Sequence, residues 1–529
     1  MRKLQLTLLV IATIGLAFQA PFAAVVETSA GLAEPIAVDG GQVTGTPTIQ
    51  WSYGVRLFRG IPYAAPPIGD LRWRPPQPIL PWQGVKAADR FSPACMQAPT
   101  SSEGNAWREG HVPVSEDCLY LNIWTPARSP GDKLPVLVFI HGGGNTRGAA
   151  SENQYDGAYL AKKGVVFASV NYRMNVFGFM AHPELTRESS HHSSGNYALL
   201  DQIAALQWIQ RNIDKFGGDP ASVTIFGHSA GASNVVSLVA SPLAKGLFHR
   251  AMALSGTSLG VRTPLADAEK AGVKFATDLG APSIAALRQK PAHEVLNAPR
   301  PQMAPNVDGW LLPQDVHSLF AAGRQSDIPL VVGTVADDTP GPATVPTTAA
   351  DAQAYARKTY GDLADRYLKL FPATSDAEAA RSAHAFRTNT AMANARQLAA
   401  LHSATAKSPA YWYYFAQVPS TPDGLTWGGR SARSWGAYHG SEIVYVFNAF
   451  PFQDWPWHGA DLKLGDVMSS TWTTFARTGS PNGSGLPQWP AFEPKVNVLM
   501  KFDEDPSAEP APYQPQIEFI EAWLTRQRR

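Results

Sequence analysis

The stretch that most restricts what this chain can fold into is Val223-Thr-Ile-Phe-Gly227-His228-Ser229-Ala230-Gly231-Ala-Ser. A β-branched run feeds G-x-S-x-G, and a small-residue, helix-compatible segment follows. This is the sequence form of a strand–turn–helix elbow with a serine at its tip. Glycines two residues either side of Ser229 let strand and helix approach each other, because neither carries a Cβ. Such a turn exposes Ser229 Oγ and aims the amide of Ala230, at the start of a helix, at whatever the serine attacks. A pentapeptide this short also arises by chance, so its meaning depends on the strand and helix around it.

Those surroundings are present. Val136-Leu-Val-Phe-Ile140 and Val165-Val-Phe-Ala-Ser-Val170 are continuous apolar runs, the pattern of strands buried on both faces. Between 197 and 216, apolar residues at 200, 203, 206, 209, 213 and 216 form a helical stripe, which Gly217-Gly218 ends. Strand, helix and strand at this spacing predict a βαβ unit and a mainly parallel sheet covered by helices. Further strands are expected at 250–254, 329–333 and 411–415. Residues 350–405 are Ala-rich with few strand signals, and predict a helical insertion or cap, about 340–405, over one end of the sheet. Proline crowds residues 58–76 and predicts a long ordered loop; Gly, Pro and Trp crowd 420–460 and predict loops there too.

A formal net charge of +1 argues against a nucleic-acid partner, which requires a basic face. Met1-Arg2-Lys3, an apolar stretch to Phe18 and small residues at 20–24 have the form of a secretory signal peptide. The expectation is a leader over residues 1–24, a single domain over 25–529, and a secreted or periplasmic location. The leader's apolar run is shorter than the ~20 residues that span a bilayer, and no later segment is long and apolar enough to do so. The 2 cysteines, Cys95 and Cys118, both fall in the exported part, so the compartment favours a disulfide between them over a pair of buried thiols. His191-His192, with His182 nearby, lie in a Ser-rich stretch without convergent acids or cysteines and predict a solvated loop rather than a metal site.

A serine hydroxyl needs a base to take its proton, and the base needs an orienting carboxylate. The elbow predicts the chain order serine, acid, histidine. The acid is sought immediately past the strand at 329–333, at Asp338 or its neighbour Asp337; the histidine is His439, flanked by Gly436, Gly440 and aromatics. The competing histidines are His402, in a helical stretch, and His458. His141-Gly142-Gly143-Gly144 follows a buried strand and is either an oxyanion-hole segment or an ordinary Gly-rich turn.

At these residues the chain resembles the type-B carboxylesterase/lipase family, which includes cholinesterases, bile-salt-activated lipase and bacterial carboxylesterases. Blocks in family order run from about residue 35 to 500, among them 58–76, 115–124, 141–144, 171–173, 216–232, 333–338 and 436–447. The resemblance implies an α/β-hydrolase fold and hydrolysis of a small-molecule carboxylic ester without cofactor or metal. It implies Ser229 as nucleophile, His439 as general base and then acid, and Asp338 in the acid position, where most members have Glu. The oxyanion hole falls on the amides of Gly143, Gly144 and Ala230. Cys95–Cys118 matches a family disulfide, and Ser255 matches a serine that supports the acid's carboxylate. Arg72 with Glu116, and Arg173 with Asp201, match structural ion pairs. The family also contains non-catalytic adhesion proteins, which typically lose a triad member, and lipases and amide-cleaving relatives that use the same triad.

Two positions depart from the family pattern. His228 stands where Glu is common, which removes a cation-favouring field or simply fills space beside the elbow. Asn145 replaces an aromatic after the glycines, an exchange expected to widen or polarise the pocket entrance. Tryptophans 427, 435, 455 and 457 surround the histidine segment, as packing or as the lining of a pocket for bulky ester groups.

Overall fold

A sheet of eleven strands runs through the protein, in a computed structural model that describes residues 32–47, 54–98, 113–257, 259–299, 303–338, 348–427 and 430–528. In chain order the strands are β1 (Thr46–Pro47), β2 (Arg56–Pro62), β3 (Tyr120–Thr125), β4 (Leu134–Ile140), β5 (Val166–Val170), β6 (Gly218–His228), β7 (Arg250–Leu254), β8 (Leu330–Val335), β9 (Ala410–Phe415), β10 (Val498–Phe502) and β11 (Ser507–Pro510). Their spatial order is β11-β10-β9-β8-β7-β6-β4-β5-β3-β2-β1. The run from β10 to β5 is parallel throughout, and antiparallel strands finish both edges. The expected parallel sheet is therefore present. The signal-peptide expectation at 1–24 lies outside the described residues.

Strict alternation along the central strands divides their side chains between two cores. On β4, Val136, Val138 and Ile140 join one core, while Leu137 and Phe139 join the other. Neighbouring strands do the same, with Ile225 opposed to Phe226 and Ala253 opposed to Met252 and Leu254. Because both faces are apolar, both need covering by helices. The first core is closed by α1 (Tyr197–Asn212), α2 (Ala230–Ala240), α3 (Asp376–Thr405) and α6 (Gln514–Gln527), through residues such as Leu206, Val235, Leu398 and Ile517. The second is closed by α4 (Glu442–Phe447) and α5 (Gly459–Thr478), through Phe447, Met468, Trp472 and Phe475. As expected, α1 stops before Gly217, which sits at φ +77° after one tighter turn.

The structure corrects two expectations. Residues 56–62 are a strand, not the start of a loop. The proline within them, Pro62, ends the strand, beyond a register shift between Phe58 and Ile61, so little pairing is lost to its missing N–H. Within 420–460, α4 forms a short buried helix whose apolar run Ile443–Phe447 belongs to the second core. Residues 348–405 are largely helical; α3 packs against β8, β9 and α6, and its first half reaches the carboxyl end of β8, where His384 meets Asp337.

Cys95 and Cys118 are joined by a disulfide, with Cys95 in a two-residue strand, Ala94–Cys95, paired to Val114–Ser115. Two buried ion pairs brace the same region. Arg72 holds Glu116 through two 2.6 Å bonds, and Arg173 holds Asp201 through bonds of 2.8 and 2.7 Å. Both pairs are bidentate and nearly inaccessible to water, so removing one partner would strand a buried charge.

Candidate active site

The register of the parallel strands places the reactive segments in one line. Ile140 of β4 pairs with Gly227 of β6, Gly227 with Ala253 of β7, and Ala253 with Val332 of β8. The residues that follow, 141–144, 228–229, 255 and 334–338, therefore emerge side by side at the carboxyl ends of the strands, where open α/β sheets bind ligands.

Ser229 sits between β6 and α2 with φ +57° and ψ −124°, a conformation that L residues rarely adopt. Close packing imposes it. A Cβ on Gly227 would lie 2.6 Å from the carbonyl of Gly231, and one on Gly231 would lie 2.1 Å from the carbonyl of Ile140. Both glycines of the motif are thus required by contact, as the sequence suggested. The glycine segment lies against the turn, since a Cβ on Gly142 would be 3.0 Å from that of Ser229. Gly143 and Gly144 follow with φ +105° and +67°, left-handed backbone that glycine takes without strain. Ala230 is the first residue of α2, so its N–H has no acceptor within the helix.

His439 Nε2 lies 2.7 Å from Ser229 Oγ, and His439 Nδ1 lies 2.6 Å from Asp338 Oδ1. The chain order serine, acid, histidine is thus realised in space. Asp338 is 4% exposed, and its second oxygen accepts a 2.6 Å bond from Thr334 Oγ1. Asp337 has a different set of contacts. Its carboxylate accepts from the Ala437 amide at 2.9 Å and meets His384 Nε2 at 3.0 Å, while its own amide donates to the Ala437 carbonyl. It pins the histidine segment to the end of β8. Burial pushes the His439 pKa down, but the charge and hydrogen bond of Asp338 outweigh it, and the net position is above the usual histidine value.

Ser255 does not support Asp338, as the resemblance implied. Its hydroxyl donates to Glu442 Oε1 at 2.5 Å, and Tyr413 Oη donates to Glu442 Oε2 at 2.6 Å. Glu442 is fully buried, and burial raises its pKa to about 7 against the pull of those two donors. Thr334 and Glu442 were both missed from sequence. Glu442 left a legible signal, one acid opening the otherwise apolar run Glu-Ile-Val-Tyr-Val-Phe.

His228 is buried, its ring centroid 4.7 Å from that of His439. Burial, then the neighbouring His439 charge, holds its pKa well below the usual value, so the ring is neutral. It packs between Gly142 and Gly440, where a Cβ on Gly440 would approach its Cε1 to 3.2 Å. Asn145 is turned inward as well. Its side-chain oxygen accepts a 3.0 Å bond from Asn234 of α2, and its carbonyl accepts from the Asn175 amide. It clasps the glycine loop to α2 rather than polarising an entrance.

Among the described residues, no group of three or more His, Cys, Asp or Glu side chains could hold a metal. His191 instead stacks on Trp310 at 3.8 Å, and His182 Nδ1 accepts from the Glu184 amide to cap a helix start. Trp457 packs on Phe450 and donates its indole N–H to the Phe450 carbonyl, beside Trp455; the side chain of Trp427 lies outside the described residues.

A family model described as the carboxylesterase family matches residues 33–520. This chain belongs to the carboxylesterase family. Among its curated relatives is a fumonisin B1 esterase of Sphingopyxis macrogoltabida, 37% identical over 84% of this chain and 83% of that protein. A human cocaine esterase is 34% identical over 84% of this chain and 83% of the relative. A pig liver carboxylesterase is 33% identical over 84% and 85%. These carboxylesterases have the α/β-hydrolase fold, and the chain, a family member whose relatives here are all named esterases, is a carboxylic ester hydrolase. No helix among the described residues is long and apolar enough to cross a membrane.

Proposed function

We propose that this carboxylesterase acts through an acyl-enzyme on Ser229. The observation that carries the proposal is His439, bridged between Ser229 Oγ at 2.7 Å and Asp338 Oδ1 at 2.6 Å. His439 Nε2 takes the hydroxyl proton as Oγ bonds to the ester carbonyl carbon, and Asp338 steadies the imidazolium that forms. The tetrahedral oxyanion is held by the amides of Gly143, Gly144 and Ala230; losing one such donor costs roughly 2.7–4 kcal/mol in comparable enzymes. Collapse breaks the bond to the alcohol oxygen, which leaves with the proton from His439. Water then repeats the sequence on the acyl-enzyme, releasing the acid and restoring Ser229.

The substrate is a small-molecule ester with a bulky or aromatic half, in keeping with relatives named for fumonisin B1 and cocaine. The working unit is one domain over 25–529, exported after loss of the leader; the Cys95–Cys118 disulfide supports an oxidising destination. An organophosphonate carrying a fluorescent tag tests the nucleophile. The expected result is a single adduct that mass spectrometry locates on Ser229, absent in Ser229→Ala; labelling that survives this exchange would end the proposal.

A further inference from the structure

The amides of Gly143, Gly144 and Ala230 donate to no acceptor among the described residues. The carbonyl that shares a peptide plane with each of them, by contrast, is held. The Gly142 carbonyl, in plane with the Gly143 amide, lies 2.9 Å from His141 Nδ1. The Gly143 carbonyl, in plane with the Gly144 amide, accepts from the Thr146 and Arg147 amides at 3.1 Å each and from Thr146 Oγ1 at 3.2 Å. The Ser229 carbonyl, in plane with the Ala230 amide, accepts from the Ser233 amide at 3.0 Å. Because a trans peptide is planar, fixing each carbonyl fixes the direction of the N–H opposite it.

Those bonds orient the donors but do not set the distance between the glycine loop and α2, which carries the third donor. Gly231 lies against the carbonyls of Ile140 and His141, and this contact sets only a lower limit, since steric repulsion acts only at close range. An upper limit requires attraction. Among the described residues, one hydrogen-bonded pair joins residues 143–147 to α2. Asn234 Nδ2 donates to Asn145 Oδ1 at 3.0 Å, and Asn145 Nδ2 lies 3.5 Å from Asn234 Oδ1. Asn145 directly follows Gly144, and Asn234 lies one turn along α2 from Ala230. Both side chains are buried, so neither amide can exchange its partner for water. Asn145 takes φ +57°, left-handed backbone that asparagine tolerates better than most residues. Its carbonyl accepts from the Asn175 amide at 2.7 Å, and Asn175 Nδ2 in turn donates to the Met96 carbonyl at 2.7 Å, beside Cys95 of the disulfide.

We propose that Asn145, paired with Asn234, is a positioning residue for ester hydrolysis, holding the Gly143 and Gly144 amides at the distance from Ala230 at which all three reach one oxyanion. The inference rests on the acyl-enzyme reading of Ser229. Donors act on an oxyanion from about 2.7–3.1 Å, and a misplacement of about 1 Å costs roughly 10²-fold in rate. The ester carbonyl of the bound substrate carries less charge than the oxyanion and gains less from the hole. Releasing the clasp therefore weakens the transition state more than the bound ester, and acts on kcat rather than KM.

The test uses Asn145→Gly, which removes the side-chain amide and leaves the left-handed backbone unstrained, Asn234→Ser, and the two combined. Active sites are counted by organophosphonate titration taken to completion. With 4-nitrophenyl butyrate, kcat per titrated site is expected to fall roughly 10- to 100-fold in each single variant, with KM within about threefold of the wild type. Affinity for a phenethyl trifluoromethyl ketone, whose carbonyl carbon bonds to Ser229 Oγ and leaves an oxyanion, should fall in step with kcat/KM. Affinity for the matching secondary alcohol, which forms no oxyanion, should hold. The double variant should lose no more than the worse single one, because each exchange breaks the same bond. A kcat per titrated site within about threefold of the wild type, an equal loss of affinity for ketone and alcohol, or additive losses would overturn the proposal. If Asn145→Gly does not fold, Asn234→Ser decides by the same readings of kcat, KM and ketone affinity. Loss of the acyl-enzyme reading would look different, with 4-nitrophenyl butyrate hydrolysed as fast by Ser229→Ala as by the wild type.

Discussion

The Ser255 hydroxyl and the Glu442 carboxylate share a 2.5 Å hydrogen bond, and Asp338, the acid facing His439, takes its support from Thr334 instead. Two carboxyl groups therefore lie close to His439, each with its own donors. Asp338 touches the imidazole. Glu442 acts on it only through its field, and has an ionisation displaced to about pH 7.

Replacing Glu442 by Gln should change how stability depends on pH. The carboxyl's folded pKa of about 7 exceeds its ordinary 4.5, so the folded state holds the proton more tightly. That stabilisation is complete below pH 4.5 and is lost as pH rises through about 7, at ~1.4 kcal/mol per pH unit across the window. The difference in melting temperature, Glu442→Gln minus wild type, should therefore increase from pH 4.5 to 7.5. A flat difference would contradict the buried, displaced carboxyl.

His439 should set the acidic limb of the activity profile. It accepts the serine proton only when neutral, and Asp338 holds its pKa above 6.5, so kcat/KM should rise with pH through a value above 6.5. Removing the Glu442 charge should move this limb to lower pH, because that charge also favours the imidazolium. Stopped assays from pH 5 to 9 on both proteins measure the displacement.

The two adjacent acids should separate cleanly. Asp338→Asn leaves His439 without its carboxylate and should lower kcat by about 10⁴-fold, in line with comparable triads. Asp337→Asn disturbs the bonds to Ala437 and His384 and should cost ~1–3 kcal/mol of stability with a far smaller loss of kcat. Thermal unfolding and steady-state kinetics on the pair decide the assignment.

Gly231→Ala offers a sign test of the elbow's packing. In an ordinary helix the exchange would stabilise by roughly 1 kcal/mol. Here the new methyl would lie 2.1 Å from the Ile140 carbonyl and 2.6 Å from that of His141, so it should destabilise by ~1–3 kcal/mol or more. A rise in melting temperature would refute the close approach of α2 to the glycine loop.

Reducing Cys95–Cys118 should lower stability. Closing a loop with a sequence separation of 23 is worth about 3.4 kcal/mol in the chain-entropy model. Thermal melts with and without reductant, and of Cys95→Ala with Cys118→Ala, should agree with each other and fall below the wild type.

The sequence alone determined the elements whose signals are local. Apolar runs in β4 and β5, the helical stripe of α1 and the glycines around Ser229 each state a backbone requirement that neighbouring residues can express. With chain order they also pointed to Ser229, to His439 and to the neighbouring acids Asp337 and Asp338, between which only the family resemblance chose. What they could not decide was the pairing of side chains distant along the chain. Asp338 and His439 are 101 residues apart, Ser229 and His439 are 210, and Ser255 and Glu442 are 187. Whether Ser255 turns to Asp338 or Glu442, and whether Asn145 faces a pocket or Asn234, depends on how the assembled sheet and helices set these side chains against one another. Hydrogen bonds reward only that final geometry.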